Sequence, residues 1–221
     1  FQSFHHNLRS NEYNANTQIQ FTSNHNNYFG LYDTSWNNFL INNLNPEINR
    51  NFFKLRTNWN WYNSLLNNII FQANISSDNY NSIEQQVAIG TGLENDLGKG
   101  KIKAEVKIQG FKTNFNTSYF KLSDEQYSQG QGTVDVFWKG NFSDLNLLIG
   151  AGVTYLLGVD DFSSSLLYYP KIEIFYKKPG STVSPYLISD GGVNQNNYKT
   201  LSESNPFLAP TTRLAPTFNQ Y

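Results

Sequence analysis

Apolar and polar side chains alternate one for one along most of this chain, and a period of two marks an extended strand with two unlike faces. Tyr13, Ala15, Thr17, Ile19 and Phe21 oppose Asn14, Asn16, Gln18 and Gln20; Phe53, Leu55, Thr57, Trp59 and Trp61 oppose Lys54, Arg56, Asn58 and Asn60. Ile69, Phe71, Ala73 and Ile75 stand against Asn68, Gln72 and Asn74. Ile83, Val87, Ile89, Thr91 and Leu93 oppose Glu84, Gln86, Gly90, Gly92 and Glu94, and Ile102, Ala104, Val106 and Ile108 oppose Lys103, Glu105, Lys107 and Gln109. The glycine-containing break from Asn95 to Gly100 between those two runs reads as a short hairpin connection. Val134, Val136 and Trp138 alternate with Asp135, Phe137 and Lys139. A long run follows from Leu145 to Leu157, and then Tyr168, Ile172, Ile174 and Tyr176 alternate with Lys171, Glu173 and Lys177. Shorter strands are expected near Asn27 to Asp33 and Ser184 to Gly192, making about ten in all, with helix as a minor component. Long loops are expected at Thr34 to Arg50, Thr113 to Thr133 and Val193 to Phe218, and no linker divides residues 1–221 into two domains.

Alternation suits a soluble sandwich and a membrane barrel alike, so strand length and face chemistry must separate them. Soluble strands average about 5 to 6 residues, whereas a tilted membrane strand needs about 9 to 11. Ile83 to Glu94 and Leu145 to Leu157 reach the longer value with apolar faces free of charge. Charged residues are only 15% of the chain and aromatics are 16%, a balance that excludes disorder; a net charge of −1 gives no footprint for nucleic acid. Trp59 with Trp61 and Tyr62, Phe111 with Phe115, and Tyr168 with Tyr169 lie near strand ends, where a membrane girdle would stand. No segment reads as a spanning helix; Leu145 to Val159 is broken by Asn146, Thr154 and three glycines. The expected fold class is therefore all-β, a transmembrane antiparallel up-and-down β-barrel.

Catalytic chemistry finds little material. The chain has no Cys, which excludes disulfides, thiolate metal sites and thiol nucleophiles, and His5, His6 and His25 are its only histidines. No catalytic residue, metal site or cofactor is expected, and the chain is read as a non-enzyme. His5-His6 reads as solvated loop residues before it reads as a metal pair, and Asp160-Asp161 with Ser163 to Ser165 lacks the spacing of a dedicated calcium loop and reads as a polar hairpin tip. The Asn-rich stretch from Trp36 to Asn43 reads as packing or girdle before it reads as a sugar platform. The remaining candidates are charges on the polar strand faces: Lys54, Arg56, Glu84, Glu94, Lys103, Glu105, Lys107, Asp135, Lys139, Lys171 and Glu173. In a barrel these face the lumen, as cross-strand pairs that hold register or as groups that select solutes. Ala151→Arg, on the apolar row, is expected to be costly, and Gly152→Ser, on the polar row, mild.

The run YYPKIEIFYK from Tyr168, followed by Gly191-Gly192, the Asn/Gln-rich stretch Asn194 to Tyr198, Asn205-Pro206-Phe207, Pro210 and Pro216, resembles the C-terminal half of plugless TonB-dependent-receptor-like outer-membrane β-barrels of Bacteroidota. That resemblance implies a location in the bacterial outer membrane and a barrel with more strands than this chain supplies, of which residues 1–221 form an internal segment. It implies outer-membrane lipid and lipopolysaccharide as surroundings, and other outer-membrane proteins or lipoproteins as partners in an envelope complex. The function expected is a pore, a receptor-like component or such a subunit; the alternative is a soluble carbohydrate-binding β-sandwich. Within Val193 to Phe218, Asn205, Pro206, Phe207 and Pro210 are the expected interaction residues, on a loop that folds over or into the barrel mouth, presents Phe207 to a partner protein, or serves only as a rigid cap sealing the rim.

Overall fold

A computed structural model of the chain describes residues 1–27, 47–62, 64–116, 125–158, 165–177, 180, 182–205 and 214–220. Each long alternating run becomes a strand: β1 Gln2–Arg9, β2 Tyr13–Asn27, β3 Glu47–Trp61, β4 Leu66–Asp78, β5 Ile83–Leu97, β6 Gly100–Phe115, β7 Glu125–Phe142, β8 Leu145–Leu157, β9 Leu166–Tyr176 and β10 Tyr186–Ser189. These ten pair in sequence order into one antiparallel up-and-down sheet, β1 at one edge and β10 at the other. No closed barrel forms among the described residues. A separate two-stranded sheet joins β11 Gly191–Asn194 to β12 Thr217–Gln220, with helix α1, Tyr198–Ser204, between them.

Register carries the alternation from strand to strand. Ile89 lies opposite Phe71 on one side and Ile108 on the other, while Ile149 lies opposite Trp138 and Ile172. One face of the sheet is therefore apolar through the middles of the strands, and it is open to its surroundings: Ile108 is 60% exposed, Ile149 51% and Val87 50%. Burial lies on the polar face instead, where Phe111, Phe115, Tyr127 and Tyr198 cluster with Leu214 packed against them. The stretch from Gly191 to Tyr198 crosses that face, from β9, where Gly191 packs against Tyr169, to β3, where Arg50 donates to the Tyr198 hydroxyl.

The connections differ in length between the two ends of the sheet. At one end they are residues 10–12, 62–65, 98–99 and 143–144, with 177–185 the long exception. The other end has 28–46, 116–124 and 158–165, with 79–82 the short exception. Tight turns at the first end use positive φ at Gly98 (63°) and Ser143 (45°), the backbone form that two-residue hairpins require. Tyr13, Trp59, Trp61, Trp138 and Phe142 gather at this same end on the apolar face, Tyr13 stacked on Trp59 at 5.6 Å and Trp59 on Trp61 at 6.1 Å.

Several sequence-based boundaries need correction. β1 was not foreseen, because its eight residues are all exposed at an edge and show no clear alternation. The expected loops Thr34 to Arg50 and Thr113 to Thr133 lose their ends to β3, β6 and β7, which run on for several residues. Ser184 to Gly192 divides between two sheets, and Val193 to Phe218 is no structureless loop, since it holds a helix and strand residues. Asn27 is the last residue of β2, and 28–33 lie outside the described residues. Phe111 and Phe115 belong to no girdle; both lie on the polar face and are buried, as is Tyr169, whereas Tyr168 is exposed on the apolar face.

Candidate interior site and its inserted segment

The chain leaves β10 and turns onto the polar face at Gly191, whose N–H donates to Asp190 Oδ1 at 2.8 Å. A side chain cannot stand there, because a Cβ on Gly191 would sit 2.5 Å from the Cβ of Tyr169. β11 and β12 then lie on that face. Gln131 Nε2 of β7 donates to the Val193 carbonyl at 3.1 Å, Gln129 Nε2 to the Leu214 carbonyl at 2.7 Å, and Asn196 Nδ2 to the Ala215 carbonyl at 2.7 Å.

Helix α1 is held at its start by two acceptors. Asn197 is the N-cap and accepts from the Thr200 N–H at 2.8 Å. Glu84 of β5, buried among Arg50, Phe52, Ser76 and Thr113, accepts from the N–H groups of Tyr198 at 2.7 Å and Lys199 at 3.1 Å, and from Thr113 Oγ1 at 3.0 Å. Its carboxylate so satisfies amides that a helix start leaves without internal partners, and the positive end of the helix favours its charge. Tyr198 completes the seat, with its ring 5.3 Å from Phe115 and its hydroxyl accepting from Arg50 at 3.3 Å. Asn205 caps the helix C-terminus, donating to the Leu201 carbonyl at 2.8 Å. Pro206, Phe207 and Pro210 lie outside the described residues.

All eleven charged candidates fall on the face that carries this segment, and they divide by role. Glu84 anchors α1. Glu94 forms ion pairs with Lys101 and Lys103 across the β5–β6 hairpin, and Asp135 pairs with Lys171 at 3.4 Å while accepting from the Tyr169 hydroxyl at 2.7 Å. Glu94 and Lys103 stand directly opposite on neighbouring strands, whereas Asp135 and Lys171 meet across β8. Lys54, Arg56, Glu105, Lys107, Lys139 and Glu173 have no ion pair among the described residues. Four of these six, Lys54, Arg56, Glu105 and Lys107, line a cavity of about 860 Å³ between β3–β6 and the stretch Val193 to Thr200.

Position 152 overturns the expectation of a mild Gly152→Ser. A Cβ there would lie against Asp135 Oδ1 and the Tyr169 ring, both at 2.2 Å, so the glycine leaves room for the hydrogen bond between them. Arg50, Thr113, Gln129, Gln131 and Tyr198 seat the segment and escaped sequence reading. The signal available for Arg50 and Thr113 was their place in register with the alternating faces of β3 and β6, had those strands been extended outward. His5 and His6 are neighbours on one strand and so project to opposite faces, His25 is hydrogen-bonded to Asn49, and no group of three metal-ligating side chains occurs among the described residues. Residues 159–164, with Asp160 and Asp161, and the stretch Trp36 to Asn43 lie outside the described residues.

The arrangement is that of an open antiparallel sheet with an apolar exposed face and a polar face partly covered by the inserted segment. Comparison with protein-family models, with curated proteins and with solved structures gave no match.

Proposed function

We propose that this chain is the wall of a bacterial outer-membrane β-barrel without enzymatic activity, serving as a pore, a receptor-like component or a subunit of an envelope complex. One observation carries the reading. On the apolar face, β2, β4, β5, β7, β8 and β9 bear no Asp, Glu, Lys or Arg at all; β3 and β6 bear only Glu47 and Lys112, both at the end with the long connections. Water does not require such a face; hydrocarbon does. The 13 residues of β8, at about 3.3 Å each and tilted by about 40°, span roughly 30 Å, the thickness of a bilayer core. The unequal connections favour the same reading, since outer-membrane barrels have short periplasmic turns and longer extracellular loops. By that rule the long-connection end, where α1 is seated, faces outward from the cell; the resemblance of residues 168–216 to receptor-like barrels supports the outer-membrane location.

A soluble carbohydrate-binding sandwich would cover the apolar face with a second sheet. The second sheet among the described residues, β11–β12, packs on the polar face instead. Refolding the chain with lipid vesicles tests the proposal. Flotation with the vesicles and protease protection of β4 to β9 are expected, whereas a monodisperse folded protein in detergent-free buffer that ignores vesicles would overturn it.

A further inference from the structure

The cavity between β3–β6 and the inserted segment has a chemical bias that the wall function does not explain. Three cations face it without an ion pair among the described residues, Lys54 and Arg56 on β3 and Lys107 on β6, against one carboxylate, Glu105. Between them the lining is rich in carboxamides, including Gln72, Asn74, Gln86 and Gln109 on the sheet and Asn194 to Asn197 on the segment, with Ile70, Ala88 and Val193 among its apolar groups. Two of these have polar atoms that are buried and unmatched. Asn74 is 5% exposed, donates through Nδ2 to Gln86 Oε1 at 2.8 Å, and leaves Oδ1 with no partner; Gln195 leaves both its amide atoms without one. Those atoms are closed even to water, so they do not open onto the cavity; the amides that do line it present both donors and acceptors.

We infer that this cavity binds a polyhydroxylated anion, such as a short acidic oligosaccharide or a sugar phosphate. The charge follows from the three unpaired cations, and guanidinium and ammonium groups bind carboxylate or phosphate through charge-assisted bonds. The hydroxyls follow from the amides. Each carboxamide presents an acceptor and two donors in one plane, the complement of a hydroxyl that both gives and receives. No aromatic ring lines the cavity among the described residues, so recognition runs through hydrogen bonds and charge and not through stacking. The volume of about 860 Å³ lies within the range of small-molecule sites and is far larger than one inorganic anion fills. Lys199 of α1 also lines the cavity, already paired with Glu203 at 2.8 Å. The inserted segment supplies one wall, so ligand binding and the seating of α1 are linked.

This inference rests on the pore or receptor reading for how a solute reaches the cavity, and its test separates the two. Trigalacturonate, glucose 1-phosphate and neutral maltotriose are titrated calorimetrically into the folded chain in detergent micelles, at low and at high salt. The charged probes are expected to bind, less tightly at high salt, and maltotriose not to bind measurably; the better of the two charged probes identifies the anionic group. Arg56→Gln and Lys107→Gln are each expected to weaken binding about tenfold or more. Lys139→Gln, which removes an unpaired cation of the same face outside the cavity, is expected to leave binding unchanged and serves as the control for folding and net charge. Equal binding of maltotriose, equal loss in Lys139→Gln, or no binding by either charged probe would overturn the site. A chain that binds the charged probes yet floats with no vesicle would overturn the membrane reading and leave the site standing.

Discussion

Glu84 shows how much one residue can decide. Its carboxylate holds two backbone amides of α1 and the Thr113 hydroxyl in a buried setting, so truncating it strands donors that water cannot reach. Glu84→Ala is expected to destabilise the inserted segment by about 3 kcal/mol, the scale for losing charged hydrogen bonds and leaving their partners unsatisfied. Thr113→Val removes a single bond and is expected to cost about 1 kcal/mol. Limited proteolysis within residues 195–205 would read both, with cleavage accelerated far more in Glu84→Ala; equal protection in the two variants would mean that the carboxylate is not the anchor. From sequence, Glu84 was legible as a charge on a polar face but not as an anchor. Its partners, Tyr198 and Lys199, lie more than a hundred residues away, and no local pattern records such a contact.

β8 gives the cleanest contrast between two faces of one element. Ala151 stands exposed on the apolar row and Gly152 lies buried on the polar one, between Asp135 and Tyr169. Ala151→Arg is expected to cost roughly 2–4 kcal/mol when the protein folds into a bilayer, because an arginine at mid-depth must be drawn into hydrocarbon. Gly152→Ser is expected to cost about 1–3 kcal/mol through overpacking, and to cost as much in detergent as in lipid. Denaturant titrations in vesicles and in micelles would separate the two. An Ala151→Arg penalty that failed to depend on the medium would count against lipid contact. The middles of the strands were legible because there the apolar face is exposed and the polar face lines a cavity, so hydropathy alternates cleanly. Their ends near the long connections were not. There Phe52, Phe111, Phe115 and Tyr127 point to the inserted segment, the polar face turns aromatic, and the alternation that marks a strand disappears.

At the scale of the whole molecule the open question is what meets β1 and β10. Among the described residues each has one unpaired edge, and they run in opposite directions, so either could continue an antiparallel sheet. Unpaired strand edges in hydrocarbon cost several kcal/mol per orphaned group, so in a bilayer both edges must find partners. Closing on each other is disfavoured by volume. A barrel of about eight strands is just wide enough for its own side chains, and ten strands add little to that. This interior also holds a two-stranded sheet, a helix of about 10 Å diameter and a cavity of about 860 Å³. The wall is therefore expected to belong to a larger ring, with its edges paired to strands beyond these ten. The chain has no Cys, which makes the test direct. His5→Cys on β1 and Ile188→Cys on β10, both on the polar face, would be combined in one chain, refolded into vesicles and treated with a flexible bismaleimide. Links between chains are expected to dominate, giving dimers and higher species on a denaturing gel. A monomer carrying an internal link in high yield would mean that these ten strands seal themselves, and the larger ring would be abandoned.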